Sequence, residues 1–255
     1  MNVYFYTVAK AASDYVAFRI MRPLSQVLGL QHRDLAHEVF QSGKSFEEVV
    51  AAHREEFELG GRYFGALRHG PIPDHDYGPD DKVVLHVRDP RDCLTSLYFS
   101  VVYSHPVPEG PGRERFLAHR AAVSSRSIDS NCLRQGGGYA QIFQNYVDFA
   151  NRTPGVLISR YEDMVSDFER WLLRLVDHLG VPSSHPVLTQ IINGADFEVA
   201  EEDVRRHKRR VVPGDFMEKL QPETIEELNR MFAGALQRFE YPLVTPRYTL
   251  WRRQA

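Results

Sequence analysis

The sequence contains little that would tie the protein to a membrane or to an oxidising compartment. Only two of its 255 residues are cysteines, Cys93 and Cys132, and they match no metal-ligand spacing. This usage is typical of a reducing compartment, although it leaves a single disulfide open. No window approaches the roughly 18 consecutive apolar residues that a transmembrane helix needs. Because Met1 leads straight into a strand-like run without the regions of a signal peptide, we expect a cytoplasmic protein.

The sequence also lacks a strong overall charge. Its 31 Lys and Arg residues against 34 Asp and Glu give a net charge of −3. No general affinity for nucleic acid or for an anionic membrane is therefore expected, and any basic site must be local. The length suits one large α/β domain, and neither a repeat nor a shift in composition marks a boundary. We predict a single domain over 1–255.

Strand-like segments alternate with helical segments along the chain. Apolar, β-branched and aromatic runs predict strands over 2–7, 62–68, 82–89 and 155–161. Helices are predicted over 14–29 (with a kink or early stop at Pro23), 45–57, 91–103, 139–151, 167–180, 184–193, 196–209 and 222–239. Residues 104–138, which include three consecutive glycines, predict a long excursion with one helix. This order predicts an α/β fold, a single three-layer domain with a central parallel sheet flanked by helices.

Three basic side chains follow predicted strands at the point where each strand ends. Lys10 follows the first strand, His69 follows the second, and Arg88 closes the third. In parallel sheets, ligands bind beyond the carboxyl ends of the strands. The turn after the first strand adds backbone N–H groups at a helix start, and the small Ala11 and Ala12 allow close approach. The pattern predicts an anion site.

Two other motifs resemble binding sites but lack the context that such sites need. The sequence SGKS at 42–45 resembles the end of a Walker A loop, but Glu38 occupies the place of the first glycine and no strand is predicted before it. The sequence DHD at 74–76 lies in a loop rich in Pro and Gly and has no third ligand in a regular element. We therefore predict no metal site.

The candidate residues also have structural interpretations. A strand-end arginine such as Arg88 often pairs with a neighbouring carboxylate, here Asp89 or Asp92. The basic run at 207–216 is either a solvated surface or, because it ends in a Pro-Gly turn, a loop that folds over a ligand. Three aromatic residues could either pack in the core or stack on a purine, namely Tyr15, Tyr161 and Phe197.

Taken in order, these segments resemble the sulfotransferases that use 3′-phosphoadenosine 5′-phosphosulfate (PAPS), from residue 3 to about residue 219. The segment YTVAKAASDY is similar to the family's 5′-phosphosulfate loop, T-x-P-K-S-G-T-T-W. The segments RDPRDCLTSLY, RYEDM and RRVVPGDF resemble R-[ND]-P-[KR]-D…S-x-Y, Y-E-D-[LM] and R-K-G-x-x-G-D-W. RHGPIP is similar to T-H-L-P, which carries the family's catalytic base. The resemblance implies the P-loop NTPase-like sulfotransferase fold.

The resemblance also implies a role for each candidate residue. His69 would be the catalytic base, and Lys10 would neutralise charge on the leaving 5′-phosphate oxygen. The residues implied to bind the nucleotide are Lys10, Ala11, Ala12, Ser13, Asp14, Tyr15, Arg88, Ser96, Tyr161, Phe197, Arg209 and Arg210. Of these, the 3′-phosphate would be held by Arg88, Ser96, Arg209 and Arg210, and the adenine would lie beside Tyr15, Tyr161 and Phe197.

The sequence departs from the family pattern at four positions. Ala9 replaces the proline before the loop lysine, Ala12 replaces the loop glycine, and Val211 replaces the glycine after the basic pair. Asp14 replaces the second threonine, and its charge would repel a phosphosulfate unless Asp14 caps the helix and faces away.

The resemblance implies sulfuryl transfer from PAPS to a hydroxyl or amine by in-line displacement, with release of 3′-phosphoadenosine 5′-phosphate (PAP) and without a metal. The partner would be a small-molecule or glycan acceptor with a hydroxyl, rather than nucleic acid or a membrane, and a homodimer stays open. A non-catalytic PAP- or nucleotide-binding protein is the main alternative. An ATP-dependent small-molecule kinase is disfavoured because Ala11, not Ser or Thr, follows Lys10.

Overall fold

The structure, a computed structural model, describes residues 1–197, 199, 201–206 and 208–244. The chain divides into two compact units. The first contains Met1–Arg88 and Gln144–Glu198, and the second contains Asp89–Phe143 and Val199–Ala255. The single domain expected from the sequence stays a prediction.

The first unit contains a five-stranded sheet. Its strands are β1 (Val3–Thr7), β2 (Gln31–Arg33), β3 (Arg62–Leu67), β4 (Lys82–Val87) and β5 (Leu157–Arg160). They follow the order β2-β3-β1-β4-β5, and each pairs with its neighbours in parallel. All five residues of β1 are buried, as its central place requires. The prediction of an α/β fold with a parallel sheet flanked by helices is confirmed.

Helices follow the strands along the chain. The α-helices are α1 (Ser13–Tyr15), α2 (Arg22–Val27), α3 (Leu35–Ser42), α4 (Phe46–Ala52), α5 (Arg54–Glu58), α6 (Pro90–Phe99), α7 (Arg113–Ser124), α8 (Ile128–Arg152), α9 (Tyr161–Ser166), α10 (Phe168–Leu179), α11 (Pro186–Asn193), α12 (Phe216–Lys219), α13 (Pro222–Met231) and α14 (Ala233–Arg238). Val16–Met21 and Ser100–Ser104 are π-helical, and Gly110–Gly112 is a 3₁₀ turn. No helix in the described ranges is both long and apolar enough to cross a bilayer.

The helix predicted over 14–29 forms, but it does not end at Pro23. A π-helical segment, Val16–Met21, joins α1 to α2, and Pro23 lies in the first turn of α2. Proline is tolerated there because it has no N–H to donate and its backbone angle already suits a helix. The widened turn before it accommodates the proline without ending the helix.

The excursion predicted over 104–138 is largely helical. It contains α7, and α8 begins at Ile128, eleven residues before the predicted start, and runs through the three glycines. Each glycine costs about 1 kcal/mol of helix stability relative to alanine. A Cβ at Gly136 would lie 2.7 Å from the Sδ of Met231 in α13, so any larger residue there would force Met231 to move. The glycine therefore serves close packing rather than a turn.

The helix predicted around 196–209 is wrong, because the described residues of that segment adopt turns and bends. The side chain of Asp203 accepts from the backbone N–H of Arg205 at 3.0 Å. Local bonds of this kind compete with helical ones. The predicted strands and the remaining helices form close to their predicted positions, whereas β2, α3, α9 and α12 were not predicted.

Candidate functional site

The carboxyl ends of the strands in the first unit carry four of the residues that the sequence singles out. Lys10 follows β1, His69 follows β3, Arg88 follows β4, and Tyr161 follows β5. Because β1 lies between β3 and β4, the strands that follow it in sequence, β2 and β3, lie on one side of it, and β4 and β5 lie on the other. Ligands bind at such a switch point in open α/β sheets.

The loop after β1 has a constrained backbone. Lys10 and Ala12 have φ values of 71° and 56°, in the left-handed region that side chains other than glycine disfavour. Such residues cost of the order of 1–2 kcal/mol each and persist where their surroundings fix them. Three consecutive carbonyls are held here. The carbonyl of Lys10 accepts from Arg88 Nη1 at 3.1 Å, that of Ala11 from His86 Nε2 at 2.9 Å, and that of Ala12 from the Val16 N–H at 3.0 Å.

Asp14 lies in the first turn of the helix after this loop. No side-chain capping bond forms at this helix start, so Asp14 does not act as a helix cap. Its carboxylate instead forms an ion pair with Arg68, the residue after β3, and remains exposed. The negative charge that replaces the family's threonine is therefore compensated by a cation from a neighbouring strand.

Arg88 connects the loop to the end of β5. Its guanidinium lies 4.2 Å from the centre of the Tyr161 ring, and both residues are buried. Cation–π contacts of this kind fix the plane of the guanidinium. Lys10, Arg88 and Tyr161 are thus brought together. Ser13 is also buried, while Lys10 is half-buried.

Two predicted adenine contacts meet at one place. The ring centres of Tyr15 and Phe197 lie 5.6 Å apart, and those of Phe168 and Phe197 lie 5.0 Å apart. Both Tyr15 and Phe197 are half-buried, so each keeps an accessible face.

His69 packs on a neighbouring aromatic ring. Its imidazole stacks on Phe46 with ring centres 5.5 Å apart. Partial removal from water, assisted by the positive charge of Arg68, lowers the pKa of His69. The ring is therefore neutral at pH 7 and able to accept a proton.

The basic pair predicted for the 3′-phosphate lies in the second unit, within a cluster of ion pairs. Arg209 pairs with Glu202 and Asp215, and Arg210 pairs with Asp215 at 3.1 Å and with Glu218 at 2.5 Å. The hydrogen bond from Arg210 lowers the pKa of the Glu218 carboxyl. These cations are compensated by carboxylates within the unit, which the sequence did not predict.

Two aspartates of the RDPRD segment have structural roles. Asp89 caps α6 and pairs at 2.6 Å with Arg91, which is fully buried. Asp92 accepts from the backbone N–H groups of Gly214 and Phe216 at 2.7 and 3.0 Å. Ser96 lies further along α6 and is half-buried.

A cavity of about 460 Å³ opens at the opposite end of the sheet from the predicted site. Its lining includes Asn2, Gly60 and Asp81, each of which precedes a strand, and it contains no predicted site residue. Across the described part of the chain, no group of three or more His, Cys, Asp and Glu side chains could hold a metal ion. Cys93 and Cys132 are both buried, and neither forms a disulfide bond.

Residues 69–240 match the family described as "Sulfotransferase domain", and this match runs through both units. Comparison with curated proteins gives no match. Among solved structures, the chain is similar to mouse sulfotransferase SULT7A1 complexed with PAP, with a TM-score of 0.60 at 16% identity, over 92% of this chain and 84% of that one. It is also similar to retinol dehydratase in a complex with retinol and PAP, with a TM-score of 0.53 at 12% identity, over 92% and 81% of the two chains. At these identities the likeness shows the fold.

Proposed function

Because the chain belongs to the sulfotransferase domain family, we propose that it transfers a sulfuryl group from PAPS to an acceptor and releases PAP. The main observation in support of this proposal is the hydrogen bond from Arg88 to the Lys10 carbonyl, which lies where the neighbouring parallel strands β1 and β4 end. An anionic nucleotide is the ligand that such a basic strand edge favours.

Lys10 and Arg88 take different parts of the donor in this proposal. Lys10 neutralises the charge that develops on the bridging oxygen of the 5′-phosphate as the sulfuryl group leaves. Arg88 binds the 3′-phosphate, because its planar guanidinium can donate two hydrogen bonds to one phosphate. The contact of Arg88 with Tyr161 supports this role, since it orients the guanidinium before the ligand arrives.

His69 acts as the general base on the acceptor. Its lowered pKa leaves the imidazole neutral near pH 7, so it can take the acceptor proton as the oxygen attacks sulfur in line with the leaving group. Sulfuryl transfer resembles phosphoryl transfer, in which positioning and charge stabilisation supply most of the rate enhancement.

The remaining predicted ligands complete the proposed nucleotide site. Tyr15 and Phe197 stack against the adenine, and their contact supports a shared role. Ser96, Arg209 and Arg210 bind the 3′-phosphate. Both arginines pair with carboxylates, so phosphate binding requires Arg209 to leave Glu202 or Asp215, and Arg210 to leave Glu218 or Asp215.

A hydroxyl-bearing small molecule is the acceptor class that we propose. Retinol, which is bound in the retinol dehydratase complex, is an alcohol. No described feature of the excursion over 104–138 selects a particular acceptor.

Calorimetry with PAP and with ATP, followed by transfer assays with labelled PAPS and a panel of alcohols, phenols and amines, tests the proposal. We expect tight binding of PAP, weak binding of ATP and transfer to at least one acceptor. Binding of PAP without transfer to any acceptor would support the non-catalytic alternative. Tight binding of ATP together with transfer of its γ-phosphate would support a kinase.

A further inference from the structure

A chain of buried hydrogen bonds connects helix α10 to the loop after β1. Trp171 Nε1 in α10 donates to Ser159 Oγ in β5 at 2.8 Å, and Ser159 Oγ lies 2.9 Å from Nδ1 of His86 in β4. His86 Nε2 lies 2.9 Å from the carbonyl oxygen of Ala11. All four residues are buried, and His86 is fully so.

The partners fix the direction of every bond in this chain. A carbonyl oxygen only accepts, so Nε2 of His86 carries the hydrogen and donates to Ala11. Burial lowers the pKa of His86 to about 4, so the ring is neutral near pH 7 and its Nδ1 accepts from the Ser159 hydroxyl. The Ser159 oxygen then accepts from Trp171. A single tautomer of His86 therefore satisfies every polar group in the network. Packing of the sheet core alone would not require these hydrogen bonds, since apolar side chains could fill the same space.

The last bond of this hydrogen-bond network, from His86 to the Ala11 carbonyl, is the one that affects the loop. Ala11 lies between Lys10 and Ala12, the two residues that adopt left-handed backbone angles. The family motif has a glycine at the second of these positions, where this chain has alanine. A residue without the freedom of glycine keeps such a conformation only where neighbouring groups hold it. His86 holds the carbonyl between the two.

We propose that His86, oriented by Ser159 and Trp171, is a positioning residue that sets the backbone of the donor loop and thereby the place of Lys10. It acts through the Ala11 carbonyl and touches neither donor nor acceptor. The part of this inference that concerns the donor rests on the proposed function, whereas the part that concerns the backbone does not.

The test compares His86→Leu, which removes the donor to Ala11, with His86→Gln, whose amide can donate in its place. His178→Leu is the matched control, because Nε2 of His178 also bonds a carbonyl of β4, that of Val83, at 3.1 Å, near the amino end of the strand. Ser159→Ala is a milder variant that removes only the hydroxyl. Each variant is measured for Tm, for affinity to PAP by calorimetry, and for amide hydrogen exchange of residues 8–14 without ligand.

We expect His86→Leu to speed exchange in residues 8–14 and to weaken PAP binding by about tenfold or more, which corresponds to ~1.4 kcal/mol. Ser159→Ala should show a smaller effect of the same kind, and His86→Gln should recover most of both. His178→Leu should lower the Tm without either change. If His86→Leu does not fold, the comparison of Ser159→Ala with His178→Leu decides.

The proposal is overturned if exchange over residues 8–14 in the His86 and Ser159 variants equals that of the wild type, or if His178→Leu changes it equally. Failure of the proposed function has a different signature. In that case wild-type protein does not bind PAP, or Lys10→Ala leaves PAPS turnover unchanged, while the exchange results still report on the backbone.

Discussion

The guanidinium of Arg88 lies 4.2 Å above the ring of Tyr161, at the ends of two adjacent parallel strands. This contact orients the guanidinium while Nη1 holds the carbonyl of Lys10. One side chain therefore serves both the backbone of the loop and the proposed 3′-phosphate contact.

Arg88→Ala should weaken PAP binding by about 10- to 150-fold, because hydrogen bonds to a charged group are worth about 1.5–3 kcal/mol. Arg88→Lys should recover only part of the loss, since an ammonium cannot make the paired bonds of a guanidinium. Tyr161→Phe keeps the ring that contacts Arg88, so it should lose much less affinity than Arg88→Ala. Calorimetry with PAP measures all three, and unchanged affinity in Arg88→Ala would remove Arg88 from the site.

His69→Ala should lower kcat for sulfuryl transfer by about 10²- to 10⁴-fold and leave PAP affinity within about twofold, because a general base contributes to the chemical step. In the wild type, kcat/KM should fall as acid protonates His69, with the midpoint below 6.5 because the pKa of His69 is lowered. A midpoint above 6.5, or full activity in the variant, would exclude His69 as the base.

Arg68→Ala should raise the KM for PAPS, because it leaves the charge of Asp14 uncompensated beside the loop that we propose binds the donor. Arg68→Ala combined with Asp14→Thr should restore the KM to near its original value. Stability should change by less than about 1 kcal/mol in each variant, since exposed ion pairs contribute little. A double-mutant cycle in KM and in Tm measures the coupling. Equal KM values in the single and double variants would contradict this role.

The burial of His86 predicts a loss of stability in acid. Its pKa is lowered from 6.5 to about 4, so below pH 6.5 the unfolded chain binds a proton that the folded chain does not. Stability therefore falls as the pH decreases from 6.5 towards 4, and by about 2 kcal/mol between pH 7 and pH 5. His86→Gln should lack this contribution. Urea unfolding of both proteins at the two pH values measures the difference, and parallel losses would refute it.

Glu218→Gln should tighten PAP binding by a few-fold at most, because it frees Arg210 from an ion pair whose carboxylate is exposed to water and therefore contributes little. Glu227→Gln is a suitable control, since Glu227 also pairs with an exposed arginine, Arg230, in the same unit. A weaker affinity in Glu218→Gln would indicate that the carboxylate supports the basic pair rather than competing for it.

The apolar pattern predicted the parts of the fold that are buried on both faces. The buried residues of β1 are all β-branched or aromatic, and those of β3 and β4 are mostly apolar. The pattern could not predict β2, whose three residues, Gln-His-Arg, are polar and partly exposed. The glycines at 136–138 also gave a wrong start for α8. A glycine that allows close helix packing cannot be distinguished, from the sequence alone, from a glycine in a turn.

The sequence predicted the basic residues at the strand ends but not their partners. Lys10, His69 and Arg88 each follow a recognisable strand, so topology alone assigns them to one edge of the sheet. The pairing of Asp14 with Arg68 joins residues 54 positions apart, and the bond from His86 to Ala11 spans 75. No local pattern links such residues, because only the register of the strands brings them together.

The left-handed alanine at position 12 has a consequence for protein engineering. Its conformation is imposed by groups on β4 and on the following helix rather than encoded in the segment itself. Residues 8–15 transplanted into a homologous scaffold would therefore not keep this conformation, unless His86 and Arg88, which hydrogen-bond to the loop, were transplanted as well.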